Sequence, residues 1–430
     1  MSLVTNLICV RCGAPYSAGQ AMICPDCGPN RGILDIEYDI HRAGMTLTRE
    51  SLRARTRSHW RYRELLPLDD AFCPTDGHIG WTPLVDAPRL AQALGIARLR
   101  LKDDGRNASG SFKDRASSVG VAHALQTGAT EVACASTGNA ASSLAHCAAA
   151  AGLPCNIFVS QIVPEGKLAQ LLAYGARVFK IIGTYEQAYD LCNQACAHFG
   201  WYNRNAAINP YLVEGKKTGG LEIAEQCADD PPDWVVCSVG DGCSIAGVWK
   251  GVRQMREIGI THWTPRMLGV QAEGVAPLTS LWQALAEHHP TVEHPTLEHL
   301  PAQLDFQTCG DTYADSINVP IPRNARKALL AILESQGAMI NTSDDEIREA
   351  VRQTGRLTGI FAEPAAATAV AGIAAARREG VIDAHGDVVA FITGNGLKDI
   401  AGALSAVGRP HEIRPEMDQV RSIVESEPEA

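Results

Sequence analysis

From Thr82-Pro83-Leu84 onward the chain repeats one unit: a short apolar run, a small or polar turn, then a helix-like segment. This alternation constrains the fold more than any other feature, because strands joined by crossover helices build parallel sheets covered on both faces. Strands are expected at 99–102, 131–135, 155–160, 177–182, 234–239, 267–272 and 388–392. Helices are expected at about 114–126, 139–151, 165–174, 185–197, 245–255, 344–354 and 364–377. Such sheets gather ligands at the carboxyl ends of their strands, where each turn feeds a helix N-terminus. At 430 residues the chain exceeds one ordinary core, so two larger domains and a small appendage are expected.

Composition narrows the class. Apolar content of 46% with 20% charged residues describes a globular enzyme-like chain. The net charge of −10, without a basic run that could track a phosphate backbone, argues against a nucleic-acid partner. No apolar stretch reaches membrane-spanning length and no signal pattern opens the chain, so a cytoplasmic location is expected. Cys134, Cys147, Cys155, Cys237 and Cys243 lie in apolar or glycine-rich runs, where reduced cysteines serve as small buried hydrophobes.

The first 35 residues differ in kind. Cys9-Val10-Arg11-Cys12 and Cys24-Pro25-Asp26-Cys27 are paired knuckles, the spacing of a four-cysteine zinc site. Gly13 and Gly28 suit the positive φ such knuckles need. With all four positions supplied by protein, the metal would be structural; a redox pair or unliganded thiols are the weaker alternatives. Residues 1–35 are thus expected to be a zinc ribbon, 36–80 an arm or linker, 81–405 the catalytic body, and 406–430 a polar, frayed tail. In the arm, Arg49, Arg53, Arg55, Arg57, Arg61 and Arg63 interleave with Trp60 and Tyr62. This is read as an arm lying on the body or a second subunit, over a patch for an anionic partner.

Three turns and one lysine carry the chemistry. Lys113 follows Ser111-Phe112 at a strand-to-helix elbow, where an amine beside helix N–H groups can form a Schiff base with an aldehyde cofactor. Standing alone it would pass for a solvated surface lysine. Ser136-Thr137-Gly138-Asn139 offers hydroxyls and N–H groups at a helix start, suited to a carboxylate, although an ordinary N-cap has the same composition. Gly240-Asp241-Gly242-Cys243-Ser244 is a glycine-rich loop able to wrap a phosphate; it is neither a P-loop nor a dinucleotide fingerprint. Thr393-Gly394-Asn395-Gly396 brings a hydroxyl to the end of the last strand, or is a simple turn.

In this order, with Val270-Gln271-Ala272-Glu273-Gly274 and Phe361-Ala362-Glu363-Pro364-Ala365, these segments resemble the fold-type II pyridoxal-phosphate enzymes, and most of all the threonine synthase family. The resemblance covers roughly residues 80–405 and implies a tryptophan synthase β-like α/β fold. That fold has two open parallel-sheet domains, the smaller (about 115–215) inserted in the larger, and is usually a homodimer. It further implies Lys113 as the Schiff-base lysine and shuttling acid/base, and Asn139 on the cofactor's 3-oxygen. By the same resemblance Ser136, Thr137 and Gly138 hold the substrate carboxylate, and Gly240, Asp241, Gly242, Cys243 and Ser244 hold the cofactor phosphate. Thr393 would meet the pyridine nitrogen, where a neutral hydroxyl favours elimination and replacement over transamination.

Departures from the family bear on the substrate. Ala140 stands where a hydroxyl residue is usual, Ala207 and Leu212 where a serine and an arginine are usual, and Ser244 in place of an asparagine. Each lost charge-assisted hydrogen bond is worth on the order of 1.5–3 kcal/mol. Arg106 could supply a new cation. The expected activity is therefore that of a lyase or synthase acting on an L-amino acid with a β- or γ-leaving group, by elimination and possible replacement, other than O-phosphohomoserine. The alternatives are a genuine threonine synthase, a threonine/serine dehydratase-type ammonia-lyase, and a regulatory protein that kept the cofactor.

Overall fold

The computed structural model describes residues 2–28, 31–69, 71–72, 78–161, 163, 165–206, 208–288, 306 and 310–426. Two parallel sheets form the body. The larger runs in the order Ala338–Thr342, Arg266–Ala272, Trp234–Ser238, Asp387–Ile392, Arg98–Asp103 and Leu84–Asp86, with only the last strand antiparallel. The smaller contains Arg177–Ile181, Cys155–Ser160, Val132–Ala135 and Tyr202–Asn203, all parallel. The chain begins the large sheet, leaves to build the small one, and returns. A third, antiparallel sheet of Pro15–Tyr16, Val4–Cys9 and Leu34–Tyr38 lies at the N-terminus.

Residue alternation explains why the large sheet is covered twice. Val236, Leu268, Val270, Val388 and Ala390 face the alanine-rich helix Pro364–Arg378. Their neighbours Val235, Cys237, Met267, Val389 and Phe391 face the helices Cys243–Glu257 and Ala325–Glu334. A strand with period-two side chains buried on both sides must read as a continuous apolar run, as these do. The cysteines at 134, 147, 155, 237 and 243 are all buried and free.

The units expected from alternation form, with ends displaced by no more than four residues. Others were not anticipated, chief among them the helix Tyr211–Gln226, in which every residue from Tyr211 to Ala224 is buried. It is clasped by the helices Lys113–Gln126 and Cys243–Glu257. A Cβ at Gly215 would stand 2.1 Å from the Arg115 carbonyl oxygen, and one at Gly220 2.0 Å from that of Val248. Only glycine permits these crossings. At the other end, where a frayed tail was expected, Met417–Ser426 is helical, although none of its residues is buried; residues 427–430 lie outside the described residues.

The arginine-rich arm turns inward. Tyr62 is fully buried and Arg61 nearly so, and both donate to Glu225, at 2.6 and 2.8 Å. Arg55 pairs with Glu64 at 2.6 Å and Arg49 with Asp229 at 2.6 Å, so these charges are met within the chain.

Beneath the arm lies a dry ionic cluster. Arg115 donates to Asp104 at 2.6 Å and to both oxygens of Glu222 at 2.6 and 2.8 Å. Lys102 donates to Glu222 at 2.7 Å and to the Thr82 carbonyl at 2.7 Å. The Trp81 and Thr82 N–H groups donate to the same carboxylate. All four charged side chains are wholly buried. Glu222 is held well below the usual carboxylate range: burial opposes ionisation, and the Arg115 and Lys102 cations outweigh it. Removing one partner from such a cluster costs about 3–5 kcal/mol. Glu222→Gln, nearly isosteric, should lower the unfolding free energy measured in urea by about that amount; a loss under about 1 kcal/mol would contradict the assignment.

Candidate active site

Backbone hydrogen bonds stitch three distant turns together at the carboxyl edge of the large sheet. The Phe112 N–H donates to the Thr393 carbonyl at 2.8 Å, Asn395 N–H to Gly110 at 3.0 Å, and Glu363 N–H to Gly394 at 3.0 Å. Phe112 packs edge-on against Phe391 with ring centroids 5.0 Å apart, fixing the elbow from below. Lys113 is therefore the first residue of its helix, held over the end of the strand Asp387–Ile392. From the same turn, Lys398 reaches across to Ser142 at 2.9 Å, tying the helix Asn139–Ala150 of the small-sheet layer to this edge.

These turns surround a cavity bordered by Lys113, Asn139, the whole run Ser238–Ile245, Glu363 and Thr393. Residues far apart in sequence thus converge: the elbow lysine, the asparagine of the second turn, the glycine loop and the last-strand threonine. Ser136, Thr137 and Gly138 directly precede Asn139 and are half-buried, beside the cavity and outside its wall. Arg106 is exposed and borders none of it. Ala207 lies outside the described residues.

The glycine loop is shaped for an anion. Gly242 has φ +87°, and a Cβ there would meet the Asn324 carbonyl oxygen at 2.9 Å. The helix Cys243–Glu257 starts immediately after, so its first N–H groups face the cavity with the positive end of the helix dipole. An aspartate in such a loop would repel an anion were its charge not engaged. Asp241 accepts from the Arg323 N–H at 2.8 Å, from Asn324 Nδ2 at 3.1 Å and from the Cys243 thiol at 3.0 Å.

Lys113 titrates low. Burial, reinforced by the neighbouring Lys216 and Arg204 cations, brings its amine down to about 8. The amine is thus protonated below that pH and increasingly a free nucleophile above it. Two further residues of the wall had not been singled out from sequence. Both carboxylate oxygens of Glu363 accept from Asn139 Nδ2 at 3.0 Å, and burial pushes the Glu363 carboxyl up. Lys216 reaches the cavity from the buried helix Tyr211–Gln226. Glu363 lay inside a motif segment but had no evident role; Lys216 was hidden within a helix whose pattern was not legible.

The family comparison agrees with this geometry. Residues 75–394 match the family of pyridoxal-phosphate dependent enzymes. The chain belongs to that family. The threonine synthase of Methanosarcina acetivorans is 38% identical over 420 residues, spanning 97% of this chain and 98% of its own. That of Methanocaldococcus jannaschii is 36% identical over 417 residues, with the same shares covered. The chain is a member of the threonine synthase family, a pyridoxal-phosphate dependent enzyme of lyase type. Among solved structures, threonine deaminase isoform 2 of Solanum lycopersicum superposes with a TM-score of 0.62 at 22% identity, over 76% of this chain and 88% of that one. Diaminopropionate ammonia lyase of Escherichia coli gives 0.62 at 15% identity, over 78% and 89%. These two share the fold, with its paired parallel-sheet layers.

The site fits the cofactor. Asn139 Oδ1 is buried without a partner among the described residues, an orphan that a ligand would reach. The glycine loop is closed to any side chain at Gly242, and a helix N-terminus opens directly from it. Lys113→Ala should abolish the absorption expected at about 410–420 nm in the purified enzyme. Retention of that band would remove Lys113 from its assigned place.

At the N-terminus, the sulfur atoms of Cys9, Cys12, Cys24 and Cys27 all lie within 4.8 Å of one another. Cys12 and Cys24 are 3.8 Å apart. Four thiolates at about 2.3 Å from a tetrahedral zinc stand about 3.8 Å from each other, so the cluster fits that metal.

Proposed function

We propose that this enzyme acts on an L-amino acid bearing a β- or γ-leaving group, by elimination with possible replacement, and that O-phosphohomoserine is not its substrate. The observation that carries the reading is the convergence of Lys113, Asn139, the glycine loop and Thr393 on one cavity. When bound, pyridoxal phosphate supplies an aldehyde for the substrate's amino group and a ring that accepts electrons from Cα. Lys113, with its amine lowered to about 8, would hold that aldehyde and would move the proton at Cα. Asn139, braced by Glu363, would hold the ring oxygen. Gly240, Asp241, Gly242, Cys243 and Ser244 would hold the phosphate on backbone N–H groups. Thr393 would offer a neutral hydroxyl to the ring nitrogen, and the Ser136–Gly138 turn would take the substrate carboxylate.

The exclusion of O-phosphohomoserine rests on Leu212, Ala140 and Ser244. Leu212 is wholly buried, its Cδ2 2.7 Å from where a Cβ of Gly120 would lie, so this position packs two helices together and offers no charge. Genuine threonine synthase activity remains the second reading, favoured by end-to-end likeness to enzymes of that name. Incubation with O-phosphohomoserine separates the two. Release of threonine and phosphate should be at least about 100-fold slower than turnover of the best amino acid in a panel of β- and γ-substituted candidates, the discrimination expected from two lost ionic hydrogen bonds. Efficient release would defeat the first reading in favour of the second.

The four-cysteine cluster is assigned Zn²⁺ in a structural role, and the cytoplasmic location and homodimer belong to the same reading. Elemental analysis should find about one zinc per chain in the parent and roughly half or less in Cys12→Ser. Full retention in Cys12→Ser, or no zinc in the parent, would contradict the assignment.

A further inference from the structure

Among the described residues, the buried lysines that flank Lys216 in the helical layer are met by carboxylates, and Lys216 is not. Lys217 donates to Glu214 at 2.5 Å. Lys250 reaches Glu214 at 2.7 Å and Asp35 at 3.1 Å. Lys216, next to Lys217 on the same helix, is 3% exposed. Among the described residues it has neither an ion pair nor a hydrogen bond. Its stem is set by packing: a Cβ on Gly247 would lie 3.1 Å from the Lys216 Cβ, so glycine there lets the lysine lie against the helix that the glycine loop opens. Its side chain borders the cavity with Lys113, Cys243 and Ser244.

The carboxylates around that cavity do not answer this charge. Asp241 is committed to the 323–324 segment and Glu363 to Asn139. The same side of the site also holds the N-terminus of the helix Cys243–Glu257, itself a positive pole. An unpaired ammonium beside a second lysine and a helix N-terminus is costly unless a ligand supplies the anion.

We propose that Lys216 is the anion-recognising cation of this site, receiving a phosphate-like oxyanion. Two sources have that chemistry: the cofactor's phosphate, and an anionic group on the substrate's side chain. The inference rests on the reading that the cavity holds pyridoxal phosphate, and it does not depend on which amino acid turns over. It assigns Lys216 the part that the exposed Arg106 was expected to play.

The test uses Lys216→Gln and Lys216→Arg, with circular dichroism to establish that both fold. Apoprotein is titrated with pyridoxal phosphate and, separately, with pyridoxal; holoprotein is titrated with O-phospho-L-serine and with L-serine, followed by cofactor absorption. If the anion is the cofactor's, Lys216→Gln weakens pyridoxal phosphate binding about tenfold or more and leaves pyridoxal unaffected, while Lys216→Arg restores binding. If the anion is the substrate's, cofactor affinity holds and the O-phospho-L-serine midpoint rises about tenfold in Lys216→Gln alone, with L-serine unchanged. Should Lys216→Gln bind both anions within about threefold of the parent, the proposal is overturned. None of these titrations requires turnover, so a mistaken substrate assignment leaves their result standing.

Discussion

The buried pairing of Arg115 with Asp104 and Glu222 is the constraint on which the active site depends. Arg115 stands two residues beyond Lys113, and Asp104 directly follows the strand that leads into the elbow. Glu222 belongs to the central helix Tyr211–Gln226 and also binds Lys102 and the N–H groups of Trp81 and Thr82. One cluster therefore fixes the Lys113 helix, the strand beneath it, the central helix and the end of the arm. Charges this dry are costly to bury, and partnered hydrogen bonds keep the cost bearable. In return the geometry is specific, since a guanidinium fork accepts few arrangements of two carboxylates.

A second ionic cluster joins the N-terminal sheet to the same central helix. Lys250 and Lys327 both reach Asp35, at 3.1 and 2.8 Å, and Lys250 also reaches Glu214. Tyr38 donates to Glu214 at 2.7 Å, and its ring lies 3.9 Å from the Lys217 ammonium. Lys250 lies on the helix that begins at the glycine loop, so the cysteine-bearing segment is braced against the element that would hold the cofactor phosphate. The small N-terminal sheet cannot bury much apolar surface by itself, and these contacts compensate for that.

Much of the fold was legible because its strands are short, apolar and followed by glycine or small polar turns. The run Val388–Ile392 before Thr393-Gly394-Asn395-Gly396 announces itself, as does Cys155–Ser160. The central helix did not. Its sequence, Tyr-Leu-Val-Glu-Gly-Lys-Lys-Thr-Gly-Gly-Leu-Glu-Ile-Ala-Glu-Gln, carries three glycines and several charges, the signature of an exposed loop in a local reading. In the folded chain Gly215 and Gly220 are helix crossings, Gly219 clears the Phe391 ring, and Glu214, Lys217 and Glu222 are buried partners. The C-terminal segment expected as a frayed tail carries a helix in which Met417, Val420 and Val424 have helical spacing and are all exposed.

By itself the sequence determined the α/β class, the paired cysteine knuckles, and the turns that carry Lys113, Asn139, the glycine loop and Thr393. Those signals are local: they depend on residue type at fixed short spacing, which the chain preserves however it folds. Tertiary structure alone decided which side chains meet. It engaged the Asp241 carboxylate with the 323–324 segment, set Glu363 against Asn139, left Arg106 in solvent and brought Lys216 to the cavity wall. These outcomes follow from where the buried helix lies between its neighbours, and helix position is a sum of packing and charge pairing across the whole molecule, which no short stretch of sequence contains.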